Sequence, residues 1–550
     1  MSVLRSLFAG LEQRVRWWPA VAALALCHAA GARAADAPVA VATDKGVVVG
    51  SAVGDIASFL GIPYAAPPTG DLRFRAPQPH AAWGVPLAAT AYGSPCPQSA
   101  RLGSPSLNED CLFLNVWAPL LPGARKPVMV FIHGGSFNAG NGGQVPGGPD
   151  YSGADIARQA DVVVVTINYR LSILGYLTAP ALDAENPQHV SGNYGLQDQQ
   201  AALAWVKRNI ARFGGDPGDV TLFGESAGGI SVLYQLVSPG AAGLFQRAII
   251  ESSDDGASLP LAVAEGLEAP VIAALGCGGA ADVAACLRAL PVSAIINSGL
   301  AVGPPIDGAT VPQEPTAALA AGQFNHVPAI IGTNANEGTY FLAVATRNAG
   351  RALTAADYAA AIAAYYPSAA ATIEAAYPLS AYATPADALA AIETDSFFAC
   401  PSDNVRTLVA PQVPVWGYEL RQPNPAVNFP LPAAPGVDLL DSHTTELAYV
   451  FGHDGAGNAL LGPDRLLSAA VIGDWTRFAS SGDPNYALRL AAVIQALGYK
   501  PVYWPRYEGP QPRVLALQTP IRAVSGFAQA HHCALWQSLG YPEVLLESVP

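Results

Sequence analysis

The chain has 550 residues, of which 13% are charged and 51% hydrophobic, and its formal net charge is −14. This composition excludes a disordered chain, and the lack of a collagen-like period or a heptad run excludes fibrous structures. A pI near 5 and only four lysines argue against a surface that binds nucleic-acid phosphates.

The first 34 residues are predicted to be a cleaved export signal. Arginines give a basic start, an apolar run covers residues 21–30, and Ala32-Arg33-Ala34 supplies the small residues that signal peptidase accepts. The apolar run is too short to span ~30 Å of hydrocarbon, which argues against a membrane anchor. We therefore expect a secreted or periplasmic mature chain of residues 35–550.

Six cysteines remain after the leader, and an even number in an exported protein indicates disulfides. Six cysteines allow 15 pairings. No Cys-x-x-Cys pair is present, which argues against a metal site. Short loops favour two of the pairs and leave the third: Cys96 with Cys111, Cys277 with Cys286, and Cys400 with Cys533.

Apolar runs alternate with helical spacing along the mature chain, which predicts an α/β fold around a mostly parallel sheet. Strands are predicted at 128–132, 162–165 and 220–223, and a helix at 197–213. The Ala-rich region of about 257–399 is predicted to be mainly helical, interrupted by one strand at 329–332. No repeat and no polar linker divides the chain, so we expect a single domain over 35–550.

The motif with the clearest chemical meaning is Gly224-Glu225-Ser226-Ala227-Gly228-Gly229. It follows a predicted strand and precedes a helix predicted to start near Gly229, which is the context of a nucleophile elbow. Such a turn lifts the serine hydroxyl above the sheet, and the glycines allow close approach of backbone segments. Ser226 is therefore the predicted nucleophile, against the alternative of a simple glycine-rich turn.

A serine nucleophile needs a base and a residue that orients the base. The downstream histidines are His326, His443, His453, His531 and His532, and the polar context of residues 441–446 favours His443.

The acid that orients the base is predicted to follow a strand, because active sites form at the carboxyl ends of parallel strands. Glu337 follows the predicted strand at 329–332, while Asp307 and Asp395 remain rivals.

A second glycine motif, His133-Gly134-Gly135-Ser136-Phe137, directly follows a predicted strand. A loop of this kind donates backbone N–H groups to a tetrahedral oxyanion, together with the N–H of the residue after the nucleophile, here Ala227. The two motifs in this order favour acyl-transfer chemistry.

The chain resembles the type-B carboxylesterase family, which includes carboxylesterases and cholinesterases. The resemblance covers nearly all of the mature chain. The motifs that carry it are 59–65 (FLGIPYA), 109–116 (EDCLFLNV), 192–199 (GNYGLQDQ), 213–217 (FGGDP), 449–452 (YVFG) and 482–485 (GDPN), besides the elbow.

The resemblance implies an α/β-hydrolase fold, with the mainly helical region of 257–399 covering an active-site gorge. It implies a Ser226–Glu337–His443 triad, the same disulfide pattern, and an oxyanion hole donated by Gly135, Ser136 and Ala227, with Gly134 shaping the turn. It further implies a structural ion pair between Arg73 and Glu109, and a carboxylate at Glu446 behind the triad.

One departure from cholinesterases concerns substrate choice. Their first disulfide loop carries a tryptophan that binds quaternary ammonium through a cation–π contact, whereas the loop from Cys96 to Cys111 has no aromatic residue. Tyr340 is the remaining candidate for an aromatic gorge position. A choline-ester specialist is therefore disfavoured.

The sequence thus predicts a secreted serine carboxylic-ester hydrolase that uses no cofactor or metal. Short-chain or aryl esters are the expected substrates, with amides, carbamates and bulky or polymeric esters as alternatives. The acidic charge balance disfavours polyanionic substrates. A non-catalytic binding module is the competing class, which is disfavoured because all three triad residues are present.

Overall fold

The computed structural model describes residues 37–100, 105–120, 123–144, 149–300, 302–427, 429, 433–486 and 502–541. The predicted leader, residues 1–34, lies outside these ranges. The described strands form one sheet. They are β1 Ala37–Ala42, β2 Val47–Val53, β3 Ile56–Pro63, β4 Leu87–Ala88, β5 Phe113–Pro119, β6 Lys126–Ile132, β7 Val163–Ile167, β8 Gly215–Glu225, β9 Arg247–Glu251, β10 Ala329–Asn334, β11 Val415–Leu420, β12 Arg513–Leu517 and β13 Arg522–Ser525.

The centre of the sheet is parallel, in the order β7, β6, β8, β9, β10, β11, β12. Antiparallel strands lie at both margins, with β1, β2, β3 and β5 at one and β13 at the other. The predicted strands at 128–132, 162–165 and 220–223 correspond to β6, β7 and β8. The parallel pairing brings the carboxyl ends of β8, β9 and β10 to the same edge of the sheet, where open α/β sheets bind ligands.

Helices cover both faces of the sheet. They are α1 Ala154–Ala160, α2 Ser172–Tyr176, α3 Pro180–Asp183, α4 Tyr194–Asn209, α5 Ala227–Val237, α6 Leu261–Ala274, α7 Val283–Ala289, α8 Val292–Ile296, α9 Pro315–Ala320, α10 Gly338–Ala349, α11 Ala355–Tyr365, α12 Ala370–Ala376, α13 Pro385–Glu393, α14 Cys400–Val409, α15 Glu446–Phe451, α16 Gly462–Ser481, α17 Phe527–Ala530 and α18 Cys533–Ser538. Shorter 3₁₀ turns cover Gly70–Leu72, Ile210–Phe213, Pro239–Ala241 and Leu379–Ala381, and Thr394–Ala399 forms a π-helical turn.

The predicted helical region between residues 257 and 399 contains α6 to α13, and β10 is the one strand among its described residues. The predicted helix at 197–213 is α4 followed by the 3₁₀ turn Ile210–Phe213. In the described ranges, no helix combines the length and the apolar character needed to cross a bilayer.

Alternate residues of the central strands join different cores, as the two-residue period of a strand requires. Val128, Val130 and Ile132 of β6 pack into a core that includes α4 and α5. Met129 and Phe131 pack on the opposite face, into a core that includes α1, α15 and α16. The sheet is therefore buried on both faces, and this packing fixes the positions of the residues at its carboxyl edge.

The three predicted disulfides are present: Cys96–Cys111, Cys277–Cys286 and Cys400–Cys533. The third joins the start of α14 to the start of α18 across 133 residues. It lies in a third apolar core that includes residues of α10 to α13. The disulfide thus ties α18 to the core formed by α10 to α13.

A buried ionic cluster lies beside this disulfide. His531 is paired through Nδ1 with Asp395 Oδ1 at 2.5 Å and through Nε2 with Glu419 Oε1 at 2.9 Å. Arg421 pairs with the other oxygen of Glu419 at 2.5 Å. Burial disfavours the imidazolium, but Asp395 and then Glu419 outweigh it and raise the pKa of His531 to about 10. The ring is therefore a permanent cation at neutral pH.

Candidate active site

Ser226 occupies a sharp turn between β8 and α5. Its backbone has φ 58° and ψ −128°, an unusual conformation for a residue that is not glycine. The N–H of Ser226 donates to the carbonyl of Glu251 at 3.0 Å, and its own carbonyl accepts from Ile230 at 2.9 Å. These bonds hold the strained turn, which is the predicted elbow.

Close backbone approach explains the glycines of both motifs. A β-carbon at Gly224 would lie 2.5 Å from the carbonyl oxygen of Gly228, and one at Gly134 would lie 2.8 Å from the backbone oxygen of Glu225. Helix α5 begins at Ala227, two residues before the predicted start near Gly229. Glycine weakens a helix by propensity, but here contact with neighbouring backbone decides the residue type.

His443 and Glu337 are joined by a hydrogen bond. The Nδ1 atom of His443 lies 2.7 Å from Oε2 of Glu337, and both side chains are buried. The other carboxylate oxygen of Glu337 accepts the backbone N–H of Asn334 at 2.6 Å. The pair has the geometry in which a carboxylate selects the histidine tautomer and orients the ring.

Two loops are fastened together to make that pair. Asn334 at the end of β10 donates through Nδ2 to the carbonyl of Ser442 at 2.9 Å. The N–H of Asn336 donates to the carbonyl of Asp441 at 3.3 Å, and their side chains are also hydrogen-bonded. The loop after β10 therefore sets the position of the loop that carries His443.

Aromatic rings support the imidazole of His443. The ring centroids of Phe398 and Phe341 lie 4.8 and 5.1 Å from that of His443, and Tyr340 lies at 6.0 Å. Phe398 belongs to the π-helical turn and Phe341 to α10. The histidine is thus fixed by packing as well as by its carboxylate.

The Nε2 atom of His443 makes no hydrogen bond among the described residues. Oε1 of Glu225 lies 3.3 Å away, but that oxygen has no hydrogen bond. The Ser226 hydroxyl likewise makes no hydrogen bond within the described ranges, and both side chains line one pocket. Hydrogen bonds between catalytic groups are often long without substrate and tighten when it binds.

Buried carboxyl groups surround this site. Burial, reinforced by Glu446, Glu337 and Glu251, raises the pKa of Glu225 well above its usual range. Burial and then the charge of Glu337 raise the pKa of Glu446 to about 7, against hydrogen bonds from Asn334 and Ser252. Glu446 contacts Asn334 at 2.5 Å and Ser252 at 2.7 Å rather than His443.

The predicted oxyanion loop lies against the elbow. Gly134, Gly135 and Ser136 line the same pocket as Ser226, while Ala227 is buried. Among the described residues, no acceptor takes the backbone N–H of Gly135, Ser136 or Ala227. Three unused donors thus belong to residues beside or directly after the serine, as an oxyanion site requires.

Side chains around the loop hold its shape. Gln98, from the first disulfide loop, donates to the carbonyl of Gly140 and accepts its N–H, both at 2.8 Å. His133 is buried, stacks on Tyr169 at 4.5 Å and contacts the carbonyl of Gly134 at 2.8 Å. Burial, opposed by that contact, lowers the pKa of His133 to about 4, so the ring is neutral and supports the loop.

The pocket above Ser226 has a volume of about 380 Å³. One wall comes from residues 98–151, including Gln98, Asn138 and Asn141. The other comes from α10 and includes Tyr340 and Phe341. Tyr340 therefore occupies a pocket position, as predicted. Among the described residues of 257–399, those that line this pocket belong to α10.

The rival candidates lie elsewhere, and none of them lines this pocket. Asp395 pairs with His531, and Asp307 accepts the backbone N–H groups of Ala309 and Val311. His326 is exposed, His453 contacts backbone carbonyls, and His532 packs on Tyr377.

The expected ion pair between Arg73 and Glu109 is present at 2.6 Å. Arg73 also donates to the carbonyls of Arg288 and Leu290, which ties the first disulfide loop to α7.

Sequence reasoning did not assign roles to Glu225, Phe398 or Arg347. Glu225 could have been singled out because it lies inside the elbow motif. Phe398 and Arg347 reach the site from distant helical turns, and no local pattern marks them.

The chain is similar in sequence to known esterases. The carboxylesterase family matches residues 37–536. A para-nitrobenzyl esterase of Bacillus subtilis (strain 168) is 42% identical over 317 residues, spanning 55% of this chain but 63% of that protein, less than two thirds of its length. A fumonisin B1 esterase of Sphingopyxis macrogoltabida is 34% identical over 492 residues, spanning 85% of this chain and 84% of that protein.

The fold comparison agrees. A solved PNB esterase structure superposes with a TM-score of 0.73 at 32% identity, covering 90% of this chain and 98% of that one. The mostly parallel sheet with flanking helices is the architecture expected from the sequence. The chain belongs to the carboxylesterase family and is a carboxylic-ester hydrolase with the α/β-hydrolase fold.

Proposed function

We propose that the protein hydrolyses esters through an acyl-enzyme on Ser226, with His443 as the base and Glu337 as the residue that orients it. The Ser226 hydroxyl attacks the ester carbonyl while Nε2 of His443 takes its proton. The carbonyl oxygen becomes an oxyanion that accepts the N–H groups of Gly135, Ser136 and Ala227, each worth ~3 kcal/mol of barrier. Gly134 allows the loop to approach the elbow.

The intermediate then collapses, and the alcohol leaves with the proton from His443. Water attacks the acyl-enzyme while His443 takes its proton, and His443 then returns this proton to the Ser226 oxygen as the bond to the acyl group breaks and the acid product leaves. Glu337 stabilises the imidazolium formed in both halves of the cycle. Every step uses residues of this chain, and the mechanism calls for no cofactor or metal.

The observation that carries the proposal is the meeting of three features at one pocket. Ser226 sits on a turn with φ 58°, and His443 is held on Glu337 at 2.7 Å while its Nε2 makes no hydrogen bond among the described residues. The backbone donors beside the serine are unused by any described acceptor. A structural histidine or a glycine turn would need none of these in combination. The arrangement supports nucleophilic catalysis over the non-catalytic alternative.

Short-chain or aryl esters are the proposed substrates. A pocket of about 380 Å³ lies toward the small end of ligand sites, and its α10 wall is aromatic close to His443. In the first disulfide loop the residues that line the pocket are Gln98 and Ser99, not an aromatic side chain, which disfavours choline esters. Amides, carbamates and bulky or polymeric esters are weaker alternatives on the same triad.

We also propose export and cleavage near Ala34, leaving a single-domain chain of 35–550. The three disulfides support an oxidising compartment. The test is N-terminal analysis of the protein recovered from the periplasm or medium of a producing cell. A mature chain that retains residues 1–34 would contradict the proposal.

The reaction is tested with purified mature protein on p-nitrophenyl esters of rising chain length, a choline ester and an anilide. We expect turnover that falls with chain length and is abolished in Ser226→Ala. Ser480→Ala is the matched control, since Ser480 is exposed on α16 and its hydroxyl bonds only to the carbonyl of Arg477. Equal activity of Ser226→Ala and Ser480→Ala would overturn the assignment.

An organophosphate probe separates the enzyme from a non-catalytic module. We expect one adduct, on the peptide that contains Ser226, and none in His443→Gln, because attack on phosphorus needs the activated serine. Labelling that survives loss of His443 at the same rate would exclude His443 as the base.

A further inference from the structure

One face of α10 forms a graded wall of the active-site pocket. Its pocket-lining residues are Tyr340, Phe341, Val344, Arg347 and Asn348, spaced as one side of a helix requires. Tyr340 and Phe341 contact His443, Val344 follows, and Arg347 and Asn348 are exposed at the outer end. The wall therefore changes from aromatic at the reacting centre to cationic at the rim.

The guanidinium of Arg347 has no ion pair or hydrogen bond among the described residues. Its backbone carbonyl accepts the N–H of Gly350, but no described side chain bonds to the guanidinium. The internal segments outside the described ranges contain no Asp or Glu. By contrast, Arg351, four residues on, is paired with Asp357 at 2.7 Å.

Charge along the pocket is strongly asymmetric. Apart from Arg347, the acidic or basic side chains that line it among the described residues are Glu225 and His443, both buried at the floor. Burial raises the pKa of Glu225 well above its usual range, which favours its neutral form. An anionic group at the outer end would therefore meet the arginine without a facing carboxylate on the pocket wall.

We propose that Arg347 binds a free carboxylate of the substrate, so that the enzyme prefers esters carrying a second, unesterified acid group. This inference rests on the proposed function, because it assumes that the ester bond is cleaved at Ser226. Arginine suits the role because its planar fork can donate two parallel hydrogen bonds to a carboxylate. Phe341 and Arg347 are six residues apart, about 9 Å along a helix, so the acid group lies away from the reacting carbon.

The acidic charge balance of the chain disfavours polyanionic substrates, and Arg347 provides a local exception for one carboxylate. A net charge of −14 acts on every anion, whereas one guanidinium acts only on a group placed by the pocket. Salt distinguishes repulsion by the net charge from binding by Arg347, because at physiological ionic strength interactions between exposed charges are screened beyond ~8–10 Å. The selectivity should therefore persist at physiological ionic strength.

The test compares matched pairs of esters that differ only in charge. In the acyl series, p-nitrophenyl monoesters of glutaric to suberic acid are compared with the same compounds methylated at the distal acid. In the alcohol series, the butyrate ester of 4-hydroxybenzoate is compared with its methyl benzoate counterpart. We expect the acid-to-methyl ratio of kcat/KM to fall about 10-fold in Arg347→Gln in at least one series, a factor worth ~1.4 kcal/mol.

Two variants serve as controls. Arg347→Lys keeps the charge but not the fork, and should retain an intermediate ratio. Arg465→Gln makes the same change in net charge at an exposed position on α16, outside the pocket, and should keep the wild-type ratio. A ratio unchanged by Arg347→Gln in both series, or lowered equally by Arg465→Gln, would overturn the proposal.

A binding measurement distinguishes failure of this inference from failure of the proposed function. In a Ser226→Ala background, calorimetric Kd values are measured for the monoacid and methylated esters, with and without Arg347→Gln. Suppose that the wild-type protein turns over no ester, but the monoacid ester binds about 10-fold more weakly to the double variant than to Ser226→Ala. The carboxylate site is then supported and the proposed reaction is wrong. If the Kd of the monoacid ester is the same for Ser226→Ala and for the double variant, the carboxylate site is excluded.

Discussion

Two buried histidines of this molecule, both paired with carboxylates, differ in how many ring nitrogens are engaged. His531 has Asp395 on Nδ1 and Glu419 on Nε2, at 2.5 and 2.9 Å. His443 has Glu337 on Nδ1 at 2.7 Å, while Glu225 lies 3.3 Å from Nε2 without forming a hydrogen bond. Both ring nitrogens of His531 are hydrogen-bonded, whereas His443 has one ring nitrogen without a hydrogen bond.

The number of hydrogen-bonded ring nitrogens distinguishes His531, a structural cation, from His443, the proposed base. A histidine that bonds two carboxylates gains from staying protonated, and the pKa of His531 is raised to about 10 even though burial opposes it. A base must accept and return a proton in each cycle, so one nitrogen has to face the nucleophile. Proximity of a carboxylate therefore does not by itself identify a catalytic histidine, and the proposed base differs from His531 in having a ring nitrogen without a hydrogen bond at a pocket.

The largest expected effect is the replacement of His443. We expect His443→Gln to reduce kcat on a p-nitrophenyl ester by about 10⁶-fold, the scale seen when the base of a triad is removed. His326→Gln, on an exposed histidine, is the matched control. A loss of less than about 100-fold would mean that another group takes the proton from Ser226.

The next effect concerns the carboxylate on Nδ1. Glu337→Gln keeps the volume but favours the wrong tautomer of His443, and we expect kcat to fall about 10⁴-fold. Asp395→Asn makes the corresponding change at His531, away from the pocket, and is expected to alter stability rather than kcat. If both variants lowered kcat equally, the distinction between the two histidines would be lost.

The structural histidine should affect folding. His531→Gln leaves Asp395 and Glu419 buried without their shared cation, and we expect a loss of about 3–5 kcal/mol in the free energy of unfolding. Urea titration measures this loss, and kcat per folded molecule on a p-nitrophenyl ester is measured alongside. A stable variant with the activity loss of His443→Gln would contradict the assignment.

The smallest predicted effect is a dependence of stability on pH. The folded pKa of His531 is about 10, above the ordinary value of 6.5, so its stabilisation is complete below pH ~6.5 and lost as pH rises toward 10. The difference in unfolding free energy between wild type and His531→Gln should shrink by at most about 1.4 kcal/mol per pH unit from pH 7 to 9. A constant difference would show that His531 is not protonated in the folded state.

Much of the fold, and the residues of the proposed site, could be predicted from the sequence because their signals are local. Doubly buried strands are continuous apolar runs, and the turn at Ser226 needs glycines within a few residues on either side. The partners of His531 could not be predicted, since Asp395 and Glu419 lie 136 and 112 residues away. Asp395, a rival for the triad acid in the sequence, serves the other histidine because the π-helical turn carries it to α17.

The residues of the pocket wall could not be predicted from the sequence for the same reason. Phe398 contacts His443 from the π-helical turn, and Arg347 lines the pocket rim from α10. Their placement depends on how α10 and this turn pack against α13. The Gly-Gly motif predicted the position of the oxyanion loop, but its bracing by Gln98 joins residues 42 positions apart. Motifs of neighbouring residues predicted the type of chemistry, whereas the proposed substrate selectivity depends on contacts between distant segments of the chain.

The backbone at Ser226 also limits which nucleophile this scaffold can carry. Serine, cysteine and threonine all form acyl intermediates in enzymes. At φ 58° a β-branched side chain is a steric outlier, whereas an unbranched one is tolerated. The elbow can therefore exchange its oxygen for the sulfur of cysteine without moving the main chain, but threonine would have to break the turn that makes the hydroxyl accessible.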